Sequence, residues 1–246
     1  MAESPLRSVR LWQPQIDWEK RADGSLLVWQ KGELDAYPDR ISDKIHEWAG
    51  RTPDVTWMAE RGPDGEWQRT SYAEMLAAIR AIGQYLLDLG LSTERPLVIL
   101  SANSVAHGLM ALGAQYVGIP SAAIAPAYAL ASGEYGKLVA VRDQITPGAV
   151  FAEDTTPFQQ AIEAVFRGLP LFGKAGPGLV IDWEALLATK VTEAVDKANA
   201  ATGPDTVAKF LFTSGTTGSP KAVIQTQRMM CANMEQMTEC YAFLRD

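Results

Sequence analysis

Cysteine and histidine are scarce in this chain, with two of each among 246 residues. Cys231 and Cys240 fall nine positions apart on one expected helix. That is about 2.5 turns, so the two thiols point to opposite faces and cannot bridge. Reduced thiols in a cytoplasmic protein are the simple reading. His46 and His107 are far apart in sequence and suggest no metal site. His107 sits in an expected helix, where a packed or satisfied side chain is the plainer role. Positive charge is also short: 22 Lys and Arg stand against 29 Asp and Glu, a net charge of −7. A nucleic-acid partner would want the opposite balance. No apolar run reaches the length of a membrane span, so no membrane partner is expected. The opening Met-Ala-Glu-Ser-Pro-Leu-Arg lacks the apolar centre of a signal peptide. There is no internal repeat and no low-complexity tract. Hydrophobic content of 47% and charge of 21% are those of an ordinary globular chain.

What is present is an alternation of short apolar strands with capped helices. Residues 1–40 read as an arm, with Trp12, Trp18 and Trp29 but weak periodicity, expected to pack back on a body formed by 41–246. Residues 41–50 read as a short helix. Val55–Ala59 and Trp67–Thr70 flank the turn Gly62-Pro-Asp-Gly65 and predict a hairpin. Ser71 and Glu74 make a capping box for a helix with apolar residues at Met75, Leu76, Ile79, Ile82 and Leu86, stopped by Gly90. Strands follow at Leu97–Leu100, Ile119–Ile124, Ala149–Ala152 and Leu179–Ile181. Between them lie helices capped by Asn103 and by Ser132, a helix from Pro157 to Phe166, and a short one capped by Asp182. Residues 188–205 read as a polar, Ala-rich connector. Strand 207–212, a short strand at Ala222–Ile224 and a Met-rich helix from about Gln227 complete the chain. This order predicts an α/β, layered fold with a mainly parallel sheet flanked by helices.

The most informative stretch is Thr213-Ser-Gly-Thr-Thr-Gly-Ser-Pro-Lys-Ala-Val223. Glycine lets the backbone approach a ligand closely, and successive N–H groups turned outward make a nest for anions. Thr213, Ser214, Thr216 and Thr217 add hydroxyl donors, Gly215 and Gly218 supply the backbone freedom, and Lys221 adds a point charge suited to phosphate. The apolar Val207–Phe212 just before it is strand-like. Strand followed by glycine-rich loop is the setting in which proteins hold nucleotide phosphates. The spacing excludes a P-loop NTPase, which needs its lysine directly after the second glycine. The plainer alternative, a Ser/Thr/Gly surface turn, accounts poorly for the apolar strands on both sides.

The stretch from Phe210 to Lys221 resembles the phosphate loop of adenylate-forming (AMP-binding) enzymes: acyl-CoA synthetases, luciferases and peptide-synthetase adenylation domains. Arg69-Thr-Ser-Tyr-Ala-Glu-Met75 resembles their first core motif. Ala111-Leu-Gly-Ala-Gln-Tyr-Val-Gly-Ile-Pro120, with Ala125-Pro-Ala-Tyr128, resembles their second. Within that superfamily the chain is most similar to feruloyl-CoA synthases and related aromatic-acid CoA ligases. The supporting strings are Leu100-Ser-Ala-Asn-Ser104, Ala125–Leu130, Gly136-Lys-Leu138, Thr146-Pro-Gly148, Thr226-Gln-Arg-Met229 and Ile16-Asp-Trp-Glu19 with Arg21-Ala-Asp-Gly24.

The resemblance implies an ATP-dependent acid–CoA ligase acting through an acyl-adenylate. Its partners would be a small aromatic or acyl carboxylic acid, ATP and CoA, with Mg2+ on the nucleotide. It implies nucleotide-binding roles for Thr213, Ser214, Gly215, Thr216, Thr217, Gly218 and Lys221, and assigns no catalytic or metal-holding residue to this stretch. Family members carry further residues after the phosphate loop: a magnesium-holding glutamate, a ribose-binding aspartate, and a small C-terminal domain with the adenylating lysine. The sequence runs about two dozen residues past Lys221, so the expectation is the first part of the large AMP-binding domain, inactive by itself and prone to self-association through the Met230, Met234, Met237, Tyr241, Leu244 stripe. The alternative is a catalytically silent nucleotide-binding or protein-interaction module on the same fold. A kinase-like transferase is disfavoured, because no candidate general base lies near the loop.

Overall fold

The computed structural model describes residues 8–130, 135–213 and 218–245. The arm forms β1 (Ile16–Lys20) and β2 (Leu26–Gln30), an antiparallel ribbon. It does not pack back on the body as the sequence suggested. Every residue of the two strands except Asp17 is exposed. The chain on either side of the ribbon does touch the body, through Trp12 N–H to the Cys240 carbonyl (3.0 Å) and Asp35 N–H to Glu239 Oε1 (2.9 Å). Pairing of Trp18 with Val28 and of Lys20 with Leu26 puts an apolar stripe on one ribbon face, and no described element lies over it.

Next come α1 (Ile41–Arg51) and the hairpin β3 (Thr56–Arg61) and β4 (Trp67–Ser71). Helix α2 (Tyr72–Asp88) opens on the expected capping box. Ser71 Oγ accepts from Glu74 N–H (3.3 Å), and the Glu74 carboxylate accepts from Ser71 N–H (2.8 Å). Strand β5 (Leu97–Ile99) leads to α3 (Val105–Tyr116). Its cap is Ser104 rather than Asn103: Ser104 Oγ accepts from His107 N–H at 3.1 Å. Then follow β6 (Ser121–Ala123), α4 (Ala127–Leu130), α5 (Gly136–Ile145) and β7 (Ala149–Phe151). The expected cap Ser132 lies outside the described residues. The helix expected from Pro157 splits into a 3₁₀ turn (Thr156–Phe158), which contains the proline, and α6 (Gln159–Val165).

Two further expectations are corrected. The next strand is β8 (Leu171–Phe172), not Leu179–Ile181. Leu171 and Phe172 are buried whereas Val180 is exposed, so the pair that could be covered on both faces took the sheet edge. After α7 (Trp183–Leu187), the supposed connector folds into α8 (Glu193–Ala201). Its weak periodicity hid the contacts that hold it. Val195 is fully buried, and Asn199 Nδ2 donates to Ser42 Oγ and to the Tyr116 carbonyl, both at 2.9 Å. Thr192 donates twice to Gln84 Oε1. Strands β9 (Val207–Thr213) and β10 (Lys221–Thr226) and helix α9 (Gln227–Cys240) end the fold.

Among the described residues the main sheet has six strands in the order β10-β9-β6-β5-β7-β8. All neighbours are parallel except β10, which returns antiparallel to β9. Strands covered on both faces need apolar residues at every position, and β5 and β7 are buried throughout. Alternate residues feed two cores. Leu97, Ile99, Ala149 and Phe151 face the layer of α1, α2, α3, α7 and α8. Val98, Leu100, Val150 and Ala152 face the layer of α4, α5 and α6. Helices α2 and α3 approach so closely that a Cβ on Gly113 would stand 2.6 Å from Ile82 Cγ2. No described helix is long and apolar enough to cross a membrane.

Candidate functional site: the β9–β10 junction at the sheet edge

In parallel α/β sheets ligands bind where the carboxyl ends of the strands meet loops. Here that edge carries Leu100–Asn103 after β5, Ile124–Pro126 after β6 and Ala152–Asp154 after β7. Strand β9 runs beyond them. Its pairing with β6 ends at Leu211 opposite Ala123, leaving Phe212 and Thr213 to extend past the parallel sheet. Across β9–β10, Thr213 pairs with Lys221. These two residues are the last rung of the ladder, and the glycine–hydroxyl run is the connection between them.

Three of the seven predicted phosphate-binding residues are therefore placed. Thr213, Gly218 and Lys221 are all exposed at the tip of the hairpin. Ser214, Gly215, Thr216 and Thr217 lie outside the described residues. Gly218 has φ 110°, a conformation that penalises any side chain, and a Cβ there would meet nothing within 4 Å. A side chain at Gly218 would thus point into open space. Lys221 takes part in no ion pair among the described residues, so its ammonium is available to an anion. An open glycine and an available ammonium at a strand terminus fit a polyphosphate.

The hairpin is held from below. Phe210, Phe212 and Ala222 pack on the core beneath α5. Gln144 of α5 reaches across: its Nε2 donates to the Pro220 carbonyl (2.8 Å), and its Oε1 accepts from Ala222 N–H (3.4 Å). Sequence reasoning missed Gln144. It lies 76 residues from Pro220, and nothing in its local pattern marks it. Also missed was a cluster behind the β5 and β7 loops. Lys174 lies between Glu153 (3.2 Å) and Glu60 (3.7 Å), and the Glu60 carboxylate accepts from Val105 N–H (2.8 Å) at the start of α3.

The histidines and cysteines belong to other elements than the hairpin: α1, α3 and α9. His46 Nε2 meets the hydroxyl of buried Tyr116 at 2.7 Å. Burial first, and then the Arg80 guanidinium, holds the His46 pKa below the usual 6.5. His107 is satisfied by the Ala102 carbonyl at 3.1 Å. Both cysteines are unpaired. Cys231 is buried, and burial pushes its thiol up to about 11, whereas Cys240 is half-buried. A cavity of about 720 Å³ lies between α1, α9 and the β3–β4 hairpin, lined by Trp48, Trp57, Tyr72, Cys231 and Met234. Among the described residues one trio of carboxylates converges, Asp35, Glu235 and Glu239, with oxygens within 4.8 Å of one another. It sits where the arm meets α9 and shares no element with the β9–β10 junction.

A family model described as AMP-binding enzyme matches residues 45–246. The chain belongs to this family. As an AMP-binding enzyme it is 28% identical over 212 residues to D-lysergyl-peptide-synthetase subunit 2 of Claviceps purpurea, covering 85% of this chain and 15% of that protein. It is 26% identical over 226 residues to the long-chain-fatty-acid–CoA ligase ACSBG1 of Bos taurus, covering 85% and 30%. With the long-chain-fatty-acid–CoA ligase FadD13 of Mycobacterium tuberculosis it shares 28% over 166 residues, covering 64% and 30%. The chain thus spans between 15% and 30% of the length of these relatives. Among solved structures, the adenylation domain of a keto acid-selecting peptide-synthetase module bound to keto acyl adenylate superposes with TM-score 0.68 at 18% identity, covering 86% of this chain and 36% of that one. A fatty acyl-adenylate ligase from L. pneumophila, in complex with acyl adenylate and pyrophosphate, gives 0.62 at 15%, covering 81% and 32%. At these identities the likeness is one of fold. The α/β layering and mainly parallel sheet of the AMP-binding enzyme are those expected from its sequence.

Proposed function

We propose that this AMP-binding enzyme supplies the nucleotide-phosphate grip of an ATP-dependent acid–CoA ligase of the feruloyl-CoA synthase type. One observation carries the reading: Thr213 and Lys221 form the last rung of a hairpin that extends past the parallel sheet, with Gly218 open between them. The connection from Thr213 to Gly218 would hold the β- and γ-phosphates of ATP by backbone N–H groups and by the hydroxyls of Ser214, Thr216 and Thr217. Lys221 would stabilise the charge that develops on pyrophosphate as it leaves. Donors fixed in advance where charge develops are the strongest single contribution an active site makes.

In the proposed reaction a carboxylate attacks the α-phosphate of ATP, giving an acyl-adenylate and pyrophosphate, and the CoA thiol then displaces AMP. Mg2+ on the nucleotide and residues beyond this stretch complete the chemistry, so residues 1–246 alone would not turn over. The names of the relatives support acid activation in general. The aromatic-acid preference rests on the strings Leu100–Ser104, Ala125–Leu130 and Thr226–Met229. Self-association is proposed on the same footing as before: Met237, Tyr241 and Leu244 are exposed along α9 and the turn after it. Cytoplasmic location and the boundary between a 1–40 arm and a 41–246 domain complete the proposal.

Two assays test it. In the full-length protein, Thr216→Val with Thr217→Val should abolish most ATP–pyrophosphate exchange, and unchanged exchange would refute the phosphate site. A coupled assay with ATP, CoA and ferulate or coumarate should show turnover by the full-length protein and none by residues 1–246. Turnover with a long-chain fatty acid in place of ferulate would remove the aromatic preference but leave the phosphate grip standing.

A further inference from the structure

Gln144 makes three hydrogen bonds with one amide. Its Nε2 donates to the Ala140 carbonyl of its own helix (3.0 Å) and to the Pro220 carbonyl (2.8 Å), while its Oε1 accepts from Ala222 N–H (3.4 Å). A strand offers its outer edge a repeating pair, the carbonyl of one residue and the N–H of the residue two further on. Pro220 and Ala222 are such a pair, and Lys221 is the residue between them. The side-chain amide therefore occupies the place of a neighbouring strand for one rung, on the side of β10 where no described strand pairs. Pro220 itself is buried, so the backbone entering Lys221 is fixed by packing as well as by the amide.

The consequence is specific to Lys221. On its other edge it is held by the rung with Thr213. On its free edge the backbone would be loose without Gln144, since the strand projects beyond the parallel sheet. A four-bond side chain gains little from its charge if its own Cα wanders, because holding the phosphate would then require ordering the backbone too. We infer that Gln144 is a positioning residue for Lys221: through the flanking carbonyl of Pro220 and N–H of Ala222 it fixes the Cα from which the ammonium reaches the phosphates. This rests on the reading of the β9–β10 junction as a phosphate site. Gln144 touches no reacting atom, and its role is confined to orientation.

The test uses the 246-residue chain and magnesium pyrophosphate as the probe, with three readouts: dissociation constant, thermal midpoint, and hydrogen exchange at the Ala222 amide. Gln144→Ala should weaken pyrophosphate binding by up to about tenfold, the range of one or two lost hydrogen bonds. It should also speed exchange at Ala222 and leave the thermal midpoint nearly unchanged, since position 144 is exposed. Gln144→Glu is the same size and keeps an acceptor for Ala222, but loses the donor to Pro220 and sets an anion beside Lys221. It should weaken binding at least as much, and it decides the matter if Gln144→Ala fails to fold. Wild-type affinity in the folded variants overturns the positioning role and leaves the phosphate reading intact. A fall in thermal midpoint that accounts for the whole loss of binding marks Gln144 as merely structural and also overturns it. A wild-type chain that does not bind pyrophosphate overturns both.

Discussion

The middle and one end of the parallel sheet's working edge are built on opposite terms. Strands β5 and β7 are three residues each, wholly buried, and covered on both faces by helices. The β9–β10 hairpin is longer and half in solvent, with Leu211, Val223 and Ile224 40%, 41% and 53% exposed. Its inner face, Phe210, Phe212 and Ala222, is anchored on the core beneath α5. The stability of the domain therefore resides in one region and the candidate chemistry in another. A grip on a triphosphate needs exposed donors on a backbone fixed from behind, and in the proposed reading a projecting hairpin with one packed face would provide that. The β1–β2 ribbon, exposed on both faces, shows what the same geometry is without an anchor.

The sharpest way to break this comparison is to truncate one large side chain in each region. Phe151 is fully buried and its ring lies 6.0 Å from that of Trp183. Phe151→Ala should cost about 3–5 kcal/mol in urea unfolding. Leu211→Ala on the hairpin's outer face should cost about 1 kcal/mol or less. Equal costs would mean that the hairpin carries as much of the fold as the core. A smaller effect is expected at the α2–α3 contact. Gly113→Ala drives a methyl into Ile82 and the Ile79 carbonyl and should cost about 1–3 kcal/mol. Ile82→Val in the same chain, which keeps both the Cγ2 and the Cβ of that contact, should recover none of it.

The smallest effect is a pH dependence. His46 has its pKa lowered in the folded state by burial against Tyr116 and by Arg80. The neutral ring is therefore favoured by folding. Its contribution is present above the unfolded value near 6.5 and is lost as pH falls through the lower folded value. Thermal unfolding of wild type minus His46→Gln should show that loss below about pH 6.5. A difference that grows as pH falls would reverse the assignment.

Much of this was legible in the sequence because the signals were local. The Ser71–Glu74 capping box, the Gly62–Gly65 turn and the Asp182 cap each act within four residues, and each stands where it was expected. The layered α/β architecture followed from their alternation with short apolar runs. What the sequence hid depends on partners far away. Helix α8 is held by Asn199 reaching Ser42 and Tyr116, and Gln144 by reaching Pro220. Leu179–Ile181 and Leu171–Phe172 are equally apolar, and only burial separates them. Of the candidate site, the sequence marks which residues to propose but not what supports them. Glycines and hydroxyls announce an anion nest, but nothing local to Lys221 says what holds its backbone.

The central claim is that the β9–β10 junction is where phosphate binds. The direct measurement is amide chemical-shift mapping of the 246-residue chain as magnesium pyrophosphate is added, repeated with Lys221→Ala. The shifts should concentrate at Thr213–Ala222 and shrink in the variant. Shifts centred instead on the cavity walled by Trp48, Trp57 and Tyr72, with Thr213–Ala222 unmoved, would contradict the account.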